Sequence, residues 1–289
     1  MMNRYVSCEM ILAEDRQKER RALNRKVIRV QNLSIGEGIP KICAGIAAAD
    51  FDLVLVQHQA LLEEPADLLE WRLDYLLGGR YSDIDLINAT LAKMADVDSR
   101  PVILTLRTEH EGGMAKVSSR EYRELIRSYV TQSNAAIVDI EAFDKESGSD
   151  REIIAFLASL AHENGKTVIL SNHDFTMTPP RKEIIQRLMV MADMGADIPK
   201  VAYMPNTEDD VHTLLAAAMD ASEILSVPFI ALSMGELGQP SRVCGGTFGS
   251  CITFGASPTM ETAPGQIGIR ALRDHLQQYY QEGRKGSND

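Results

Sequence analysis

The sequence is poor in the residues that staple, anchor or coat a protein. It has four cysteines in 289 residues, Cys8, Cys43, Cys244 and Cys251. None forms a CxxC pair and none sits at metal-ligand spacing from a histidine, so a disulfide scaffold or zinc module has no support and reduced thiols are expected. No apolar run approaches the roughly 20 residues that cross a bilayer. The first 26 residues carry Glu9, Glu14, Asp15, Arg16, Lys18, Glu19, Arg20 and Arg21 and lack the apolar centre of a signal peptide. Positive charge is the minority: 30 Lys and Arg against 41 Asp and Glu, a formal net charge of −11 and a pI near 5.1. That balance argues against nucleic acid and against an anionic membrane as partners. No GxGxxG opens a helix, which leaves an open doubly wound sheet without its main signal.

What is present is a regular alternation of short apolar runs and longer amphipathic ones. Strands are expected at Lys41–Ala47, Asp67–Asp74, Pro101–Arg107, Ala135–Glu141, Lys166–Ser171, Ile198–Pro205, Pro228–Gly235 and Cys251–Gly255. Helical stripes follow, such as Ile84, Ile87, Leu91 and Met94, and Tyr122, Leu125, Ile126, Tyr129 and Val130 after a cap at Ser119. Asn164-Gly165 ends one helix and Pro179-Pro180 opens the next. Eight strand-then-helix units between Val27 and Gly283 predict a single α/β domain, a (β/α)8 TIM barrel. Val27 to Gly38 is expected to form an N-terminal hairpin closing the bottom of the barrel. Residues 1–26 are read as an extension outside the fold, and 27–289 as one domain.

In such a barrel the functional groups sit at the C-terminal ends of the strands. The second strand ends Glu70-Trp71-Arg72, whose period-two spacing points Glu70 and Arg72 into the mouth together, as ligand contacts or as a plain ion pair. The third ends at Arg107, followed by Glu111-Gly112-Gly113. The fifth runs into Ser171-Asn172-His173-Asp174-Phe175. Lys200 lies in the apolar sixth strand, Ile198-Pro199-Lys200-Val201-Ala202-Tyr203-Met204-Pro205, where an amine is costly unless paired, neutral or chemically used. The seventh delivers Met234 and a loop with Ser241-Arg242. The eighth delivers Phe254 and a loop ending Ala263-Pro264-Gly265-Gln266, where a helix start would favour an anion.

These six motifs, in this order, resemble type I 3-dehydroquinate dehydratase from about Val27 to the C-terminus. The resemblance implies a lyase of the shikimate pathway and aromatic amino acid biosynthesis. Its reaction is the syn elimination of water from 3-dehydroquinate, giving 3-dehydroshikimate. It implies Lys200 as the Schiff-base amine, His173 as the general acid and base, and Glu111 as the carboxylate that orients His173. It implies Arg242, with Gln266, on the substrate carboxylate, and Glu70, Arg72 and Arg107 on the ring hydroxyls. Met234, Phe175 and Phe254 form the apolar wall. Thr262 stands where the family usually has serine; it keeps the hydroxyl and adds a methyl. The resemblance also implies a cytoplasmic homodimer whose partner is a small-molecule substrate, with neither cofactor nor metal.

The chemistry asks for these groups. A proton next to a ketone is too weakly acidic for an imidazole, and a protonated imine supplies the missing electron sink. The amine has to be neutral to attack, whereas a free lysine, with a pKa of about 10.4, is almost wholly protonated at pH 7. A dry interior with nearby cations is expected to release that proton. His173 is expected to titrate near the ordinary value of about 6.5. A class I aldolase and a barrel that only binds a metabolite are the rival readings. Arg242 with Gln266 fits a carboxylate better than the phosphate an aldolase usually holds.

Overall fold

Apolar runs of four to eight residues, each followed by an amphipathic stretch, set the architecture. The computed structural model describes residues 27–143, 151–258 and 260–285; the extension assigned to residues 1–26 lies outside them. Strands β1 (Ile28–Val30) and β2 (Leu33–Ile35) form an antiparallel hairpin. Its two-residue turn puts Gln31 at φ 51°, in the left-handed region that hairpin turns of this length use.

Eight strands follow: β3 (Lys41–Ile46), β4 (Leu68–Arg72), β5 (Val102–Thr105), β6 (Ile137–Glu141), β7 (Thr167–Asp174), β8 (Ile198–Tyr203), β9 (Ile230–Ser233) and β10 (Ile252–Ala256). Each pairs in parallel with its neighbour, in the order β10-β3-β4-β5-β6-β7-β8-β9. The ring meets itself between β9 and β10 through one bridge, Phe229 to Ser250. There Cys251 N donates to Phe229 O at 2.8 Å and Ala231 N to Ser250 Oγ at 3.1 Å. A two-residue strand β11 (Ile267–Gly268) pairs with β10 at the rim. The fold is the TIM-barrel type expected.

The helices are α1 (Phe51–Leu61), α2 (Ile84–Ala95), α3 (Ser119–Gln132), α4 (Arg151–Glu163), α5 (Arg181–Asp193), α6 (Glu208–Ile224), α7 (Gln239–Cys244) and α8 (Ile269–Lys285). No helix among the described residues is long and apolar enough to cross a membrane. Side-chain caps start several of them: Asp50 accepts from Leu53 N at 2.9 Å and Asp83 from Leu86 N at 3.1 Å. The cap of α3 is Ser118, one residue before the expected Ser119, because Glu121 closes a capping box on it.

Other boundaries also move. β7 runs on to Asp174, so His173 belongs to the strand and not to a loop. Ser241 and Arg242 lie in the short helix α7, and the last helix begins at Ile269, beyond Pro264 and Gly265. Lys200 is the third residue of a six-residue strand, so it sits deeper in the barrel than a strand end would put it.

Alternation sorts the strand side chains into two sets. Ile42, Leu69, Trp71, Leu104, Val138, Leu170 and Val201 face the helices and join the larger core. Inside the barrel a lower layer is apolar: Cys43, Leu68, Ile103, Ile137, Ile169, Ile198, Ile230 and Ile252 pack together. Val30 and Ile35 of the hairpin join that layer from below, so the hairpin closes the floor. Above it the interior turns polar. Ile35 is fully buried in the floor. Ile35→Ala is expected to lower the unfolding free energy by about 2–5 kcal/mol, measured by chemical denaturation.

Candidate functional site

Two residues further along each strand from the apolar floor lie Glu70, Thr105, Asp139, Ser171 and Lys200, all buried. Two more residues up come Arg72, Arg107, Glu141 and His173, also buried. The register places Ser171 beside Lys200 and His173 beside Ala202, so the amine and the imidazole occupy successive levels of adjacent strands. A cavity opens above them. All twelve residues singled out from the sequence line it: Glu70, Arg72, Arg107, Glu111, His173, Phe175, Lys200, Met234, Arg242, Phe254, Thr262 and Gln266.

Lys200 is paired. Its Nζ lies 3.2 Å from Asp139 Oδ2, 3.5 Å from Glu70 Oε1 and 4.7 Å from the centre of the Phe254 ring. The neighbours in contact with the amine are therefore carboxylates and a π face, where the sequence reading expected cations. Asp139 is shared. Its Oδ1 accepts from Arg107 Nη2 at 2.7 Å and from Ser171 Oγ at 2.6 Å. Burial alone would raise the Asp139 carboxyl, but Arg107, Lys200 and these hydrogen bonds hold it at about 2.

Glu70 and Arg72 share a direction but not an ion pair. Glu70 accepts from Thr105 Oγ1 at 3.0 Å, while Arg72 makes a two-pronged contact with Asp74, both arms at 2.8 Å. Arg107 reaches the cavity already holding Asp139, Glu141 at 3.1 Å and Glu111 at 3.3 Å. Glu141 in turn accepts from Thr108 N and Oγ1, both at 2.7 Å, which ties the loop after β5 to β6.

Glu111 Oε2 lies 2.8 Å from His173 Nδ1, which leaves Nε2 as the nitrogen free for the cavity. Burial pushes the imidazole well below 6.5, and the charges of Arg107, Lys200 and Arg72 push it further. The expectation of an ordinary value fails because three cations surround a dry ring. Burial and then Glu141 raise the Glu111 carboxyl, against the pull of Arg107 and Asn172. Gly112, at φ 78°, follows Glu111; a Cβ there would sit 2.2 Å from the Phe175 ring. Glycine at this point lets the Glu111 loop lie flat against the aromatic wall.

Arg242 is buried, and no carboxylate among the described residues forms an ion pair with it, although the charge of Glu261 acts on it from further away. Its Nη1 donates to Phe254 O at 3.3 Å and its Nη2 to Pro264 O at 3.0 Å, while Nε has no partner. Burial brings this guanidinium down to about 10. A buried, under-satisfied guanidinium beside a cavity is a ready receptor for an anion. Gln266 Nε2 donates to Thr262 Oγ1 at 3.1 Å, and Thr262 N donates to Gln266 Oε1 at 2.9 Å. The loop is pinned from two sides, since Arg72 Nη1 donates to Thr262 O at 3.4 Å and Gly235 N to Pro264 O at 3.0 Å.

The model of the family described as type I 3-dehydroquinase matches residues 42–283. The chain belongs to the type I 3-dehydroquinase family. It is 37% identical over 255 residues to the 3-dehydroquinate dehydratase of Alkaliphilus oremlandii, covering 88% of this chain and 97% of that one. It is 38% identical over 249 residues to that of Klebsiella pneumoniae, covering 86% and 96%. Among solved structures, the type I 3-dehydroquinate dehydratase of Clostridium difficile with covalently modified comenic acid superposes with a TM-score of 0.81. That match is at 33% identity and covers 89% of this chain and 99% of the other. The enzyme of Enterococcus faecalis gives a TM-score of 0.77 at 35% identity, covering 87% and 99%.

Within this member of the type I 3-dehydroquinase family, sequence reasoning passed over Asp139, Glu141 and Asp74. The first two carry the same signal as Glu70 and Arg72, charged residues two apart at the end of an apolar strand. Asp74 has no such pattern and is visible only through its contact with Arg72.

In the ligand-free protein, histidine NMR is expected to place the His173 midpoint below pH 6.5. A midpoint at or above that value would contradict the cationic surroundings described.

Proposed function

We propose that this protein removes water from 3-dehydroquinate to give 3-dehydroshikimate through a Schiff base on Lys200. The observation that carries this reading is a buried amine that shares one cavity with a low-pKa imidazole and an unpaired guanidinium. The family and its relatives support the substrate, and the geometry of the cavity supports the residue roles.

Arg242 takes the substrate carboxylate, which fixes the ring with its ketone over Lys200. The ammonium passes a proton to His173 Nε2 and the neutral amine attacks the carbonyl carbon, its own proton moving to the carbonyl oxygen. His173 then returns its proton to the carbinolamine hydroxyl, which leaves as water and gives a protonated imine. That imine bears the charge the ammonium bore, at the place where Asp139 and Glu70 already stand, so both carboxylates serve both states. His173 Nε2 takes the proton from the carbon next to the imine, and the electrons move into an enamine. The enamine expels the neighbouring hydroxyl, which leaves as water with the proton that His173 returns. Water then attacks the conjugated imine, releasing the enone product and restoring Lys200. Glu111 holds the imidazole through Nδ1 while it carries the proton.

Glu70, Arg72 and Arg107 face the ring hydroxyls, with Arg107 doing so as part of a carboxylate cluster. Thr262 and Gln266 close the carboxylate end, and Met234, Phe175 and Phe254 wall off water. The step serves aromatic biosynthesis in the cytoplasm, carried out by a homodimer that needs no cofactor.

Borohydride added with 3-dehydroquinate should leave a reduced adduct on Lys200, located by mass spectrometry of the digested protein. An adduct on another lysine, or none, would refute the mechanism. Lys200→Ala should abolish formation of the enone absorbance while the circular dichroism stays unchanged. Arg242→Ala should raise KM by about 10- to 100-fold with a smaller change in kcat, the range expected for a hydrogen-bonded charge pair.

A further inference from the structure

Asn172 points the opposite way from its neighbours on β7. Ser171 and His173 face the barrel interior, so the Asn172 side chain lies on the helix side of the strand. An amide is not what packing asks for there, yet this one is buried and hydrogen-bonded through both its oxygen and its nitrogen. Its Oδ1 accepts from the Arg187 guanidinium on α5, and from Tyr203 Oη at 2.9 Å. Its Nδ2 donates to Glu111 Oε1 at 3.1 Å. A guanidinium offers no acceptor, so the amide oxygen has to face Arg187 and the NH2 has to face Glu111. The other oxygen of Glu111 is the one that meets His173. Arg187 is itself held by Glu183, one turn away on the same helix, and its guanidinium lies 5.8 Å from the Phe143 ring and 5.9 Å from the Tyr203 ring. A continuous line of contacts thus runs from the helical layer, through the barrel wall, to the imidazole.

We propose that Asn172, aimed by Arg187 and Tyr203, is a positioning residue that fixes the Glu111 carboxylate as the acceptor of His173 Nδ1–H and thereby sets the basicity of Nε2. This deepens, and rests on, the reading of His173 as the proton carrier. The charged groups facing the pair are Arg107, Glu141 and Asp139 on the Glu111 side and Arg107, Lys200 and Arg72 on the His173 side. Arg187, Glu183 and Tyr203 stand behind Asn172. The Asn172 donor favours the ionised form of Glu111. Without it a buried carboxylate oxygen is under-satisfied and more basic, so the Glu111–His173 pair keeps its proton to higher pH. The acid limb of the activity profile reports loss of free base, so it moves up.

The test is the pH dependence of kcat/KM for Asn172→Leu and Arg187→Met, with borohydride trapping of the wild type in parallel. Asn172→Leu should lower kcat by up to roughly a hundredfold, leave KM within about twofold, and move the acid limb to higher pH. Arg187→Met, at a half-buried site, should move the limb the same way by less, and Arg187→Lys should restore it. An acid limb that stays put in both variants overturns the proposal even if kcat falls, because lost packing lowers Tm without altering the base. Should Asn172→Leu fail to fold, Arg187→Met decides by the same limb. A wild type that forms no adduct on Lys200 overturns the underlying reading and this one together. A Lys200 adduct with an unmoved limb overturns only the role of Asn172.

Discussion

Asp139 joins the two cations at the heart of the barrel, with Arg107 on one oxygen and Lys200 on the other. Everything in the polar half of the interior depends on that bridge. Charges removed from water cost several kcal/mol each unless they are paired and hydrogen-bonded. Here the cations of the barrel mouth are matched by carboxylates: Lys200 by Asp139 and Glu70, Arg107 by Asp139, Glu141 and Glu111, and Arg72 by Asp74. Arg242 is the exception, held by two carbonyl oxygens and by no carboxylate among the described residues. The site is therefore complete in charge around the amine and incomplete at its far end. That asymmetry sets the two ends of the cavity apart: one neutralised, the other left with uncompensated positive charge.

A cluster of this kind contributes little net stability, so the apolar parts of the fold have to carry it. The lower layer of isoleucines, closed from beneath by Val30 and Ile35, lies directly under the charged levels. The larger core between strands and helices surrounds them. Both keep water from the ion pairs, which strengthens the pairing and also keeps His173 neutral. One burial pattern thus holds the wall together and lowers the basicity of the His173 imidazole.

Much of this was legible in the sequence, and for definite reasons. Apolar runs alternating with amphipathic ones revealed the barrel, and period-two spacing placed Glu70 and Arg72 on one face. All the residues singled out for the site line one cavity. What was not legible depends on contacts between strands distant in the chain. Arg72 pairs with Asp74 and not with Glu70, a choice set by side-chain reach. Lys200 meets carboxylates because β6 and β8 both send side chains across the barrel, which no local pattern records. The role of Ser118 over Ser119, and the helix that carries Arg242, turn on single hydrogen bonds at element ends, where propensity discriminates least.

The wall of the barrel is not equally strong all round. Seven neighbouring strand pairs share ladders of backbone bonds, whereas β9 and β10 meet through the Phe229–Ser250 bridge and a serine hydroxyl. Such a seam is the natural line along which the cylinder unzips under heat or load. Arg242 and the roof over the cavity hang from the two sides of that seam, while Lys200, His173 and Asp139 stand on the unbroken arc. Partial opening would thus loosen Arg242 and the roof first and leave the amine and its carboxylates assembled.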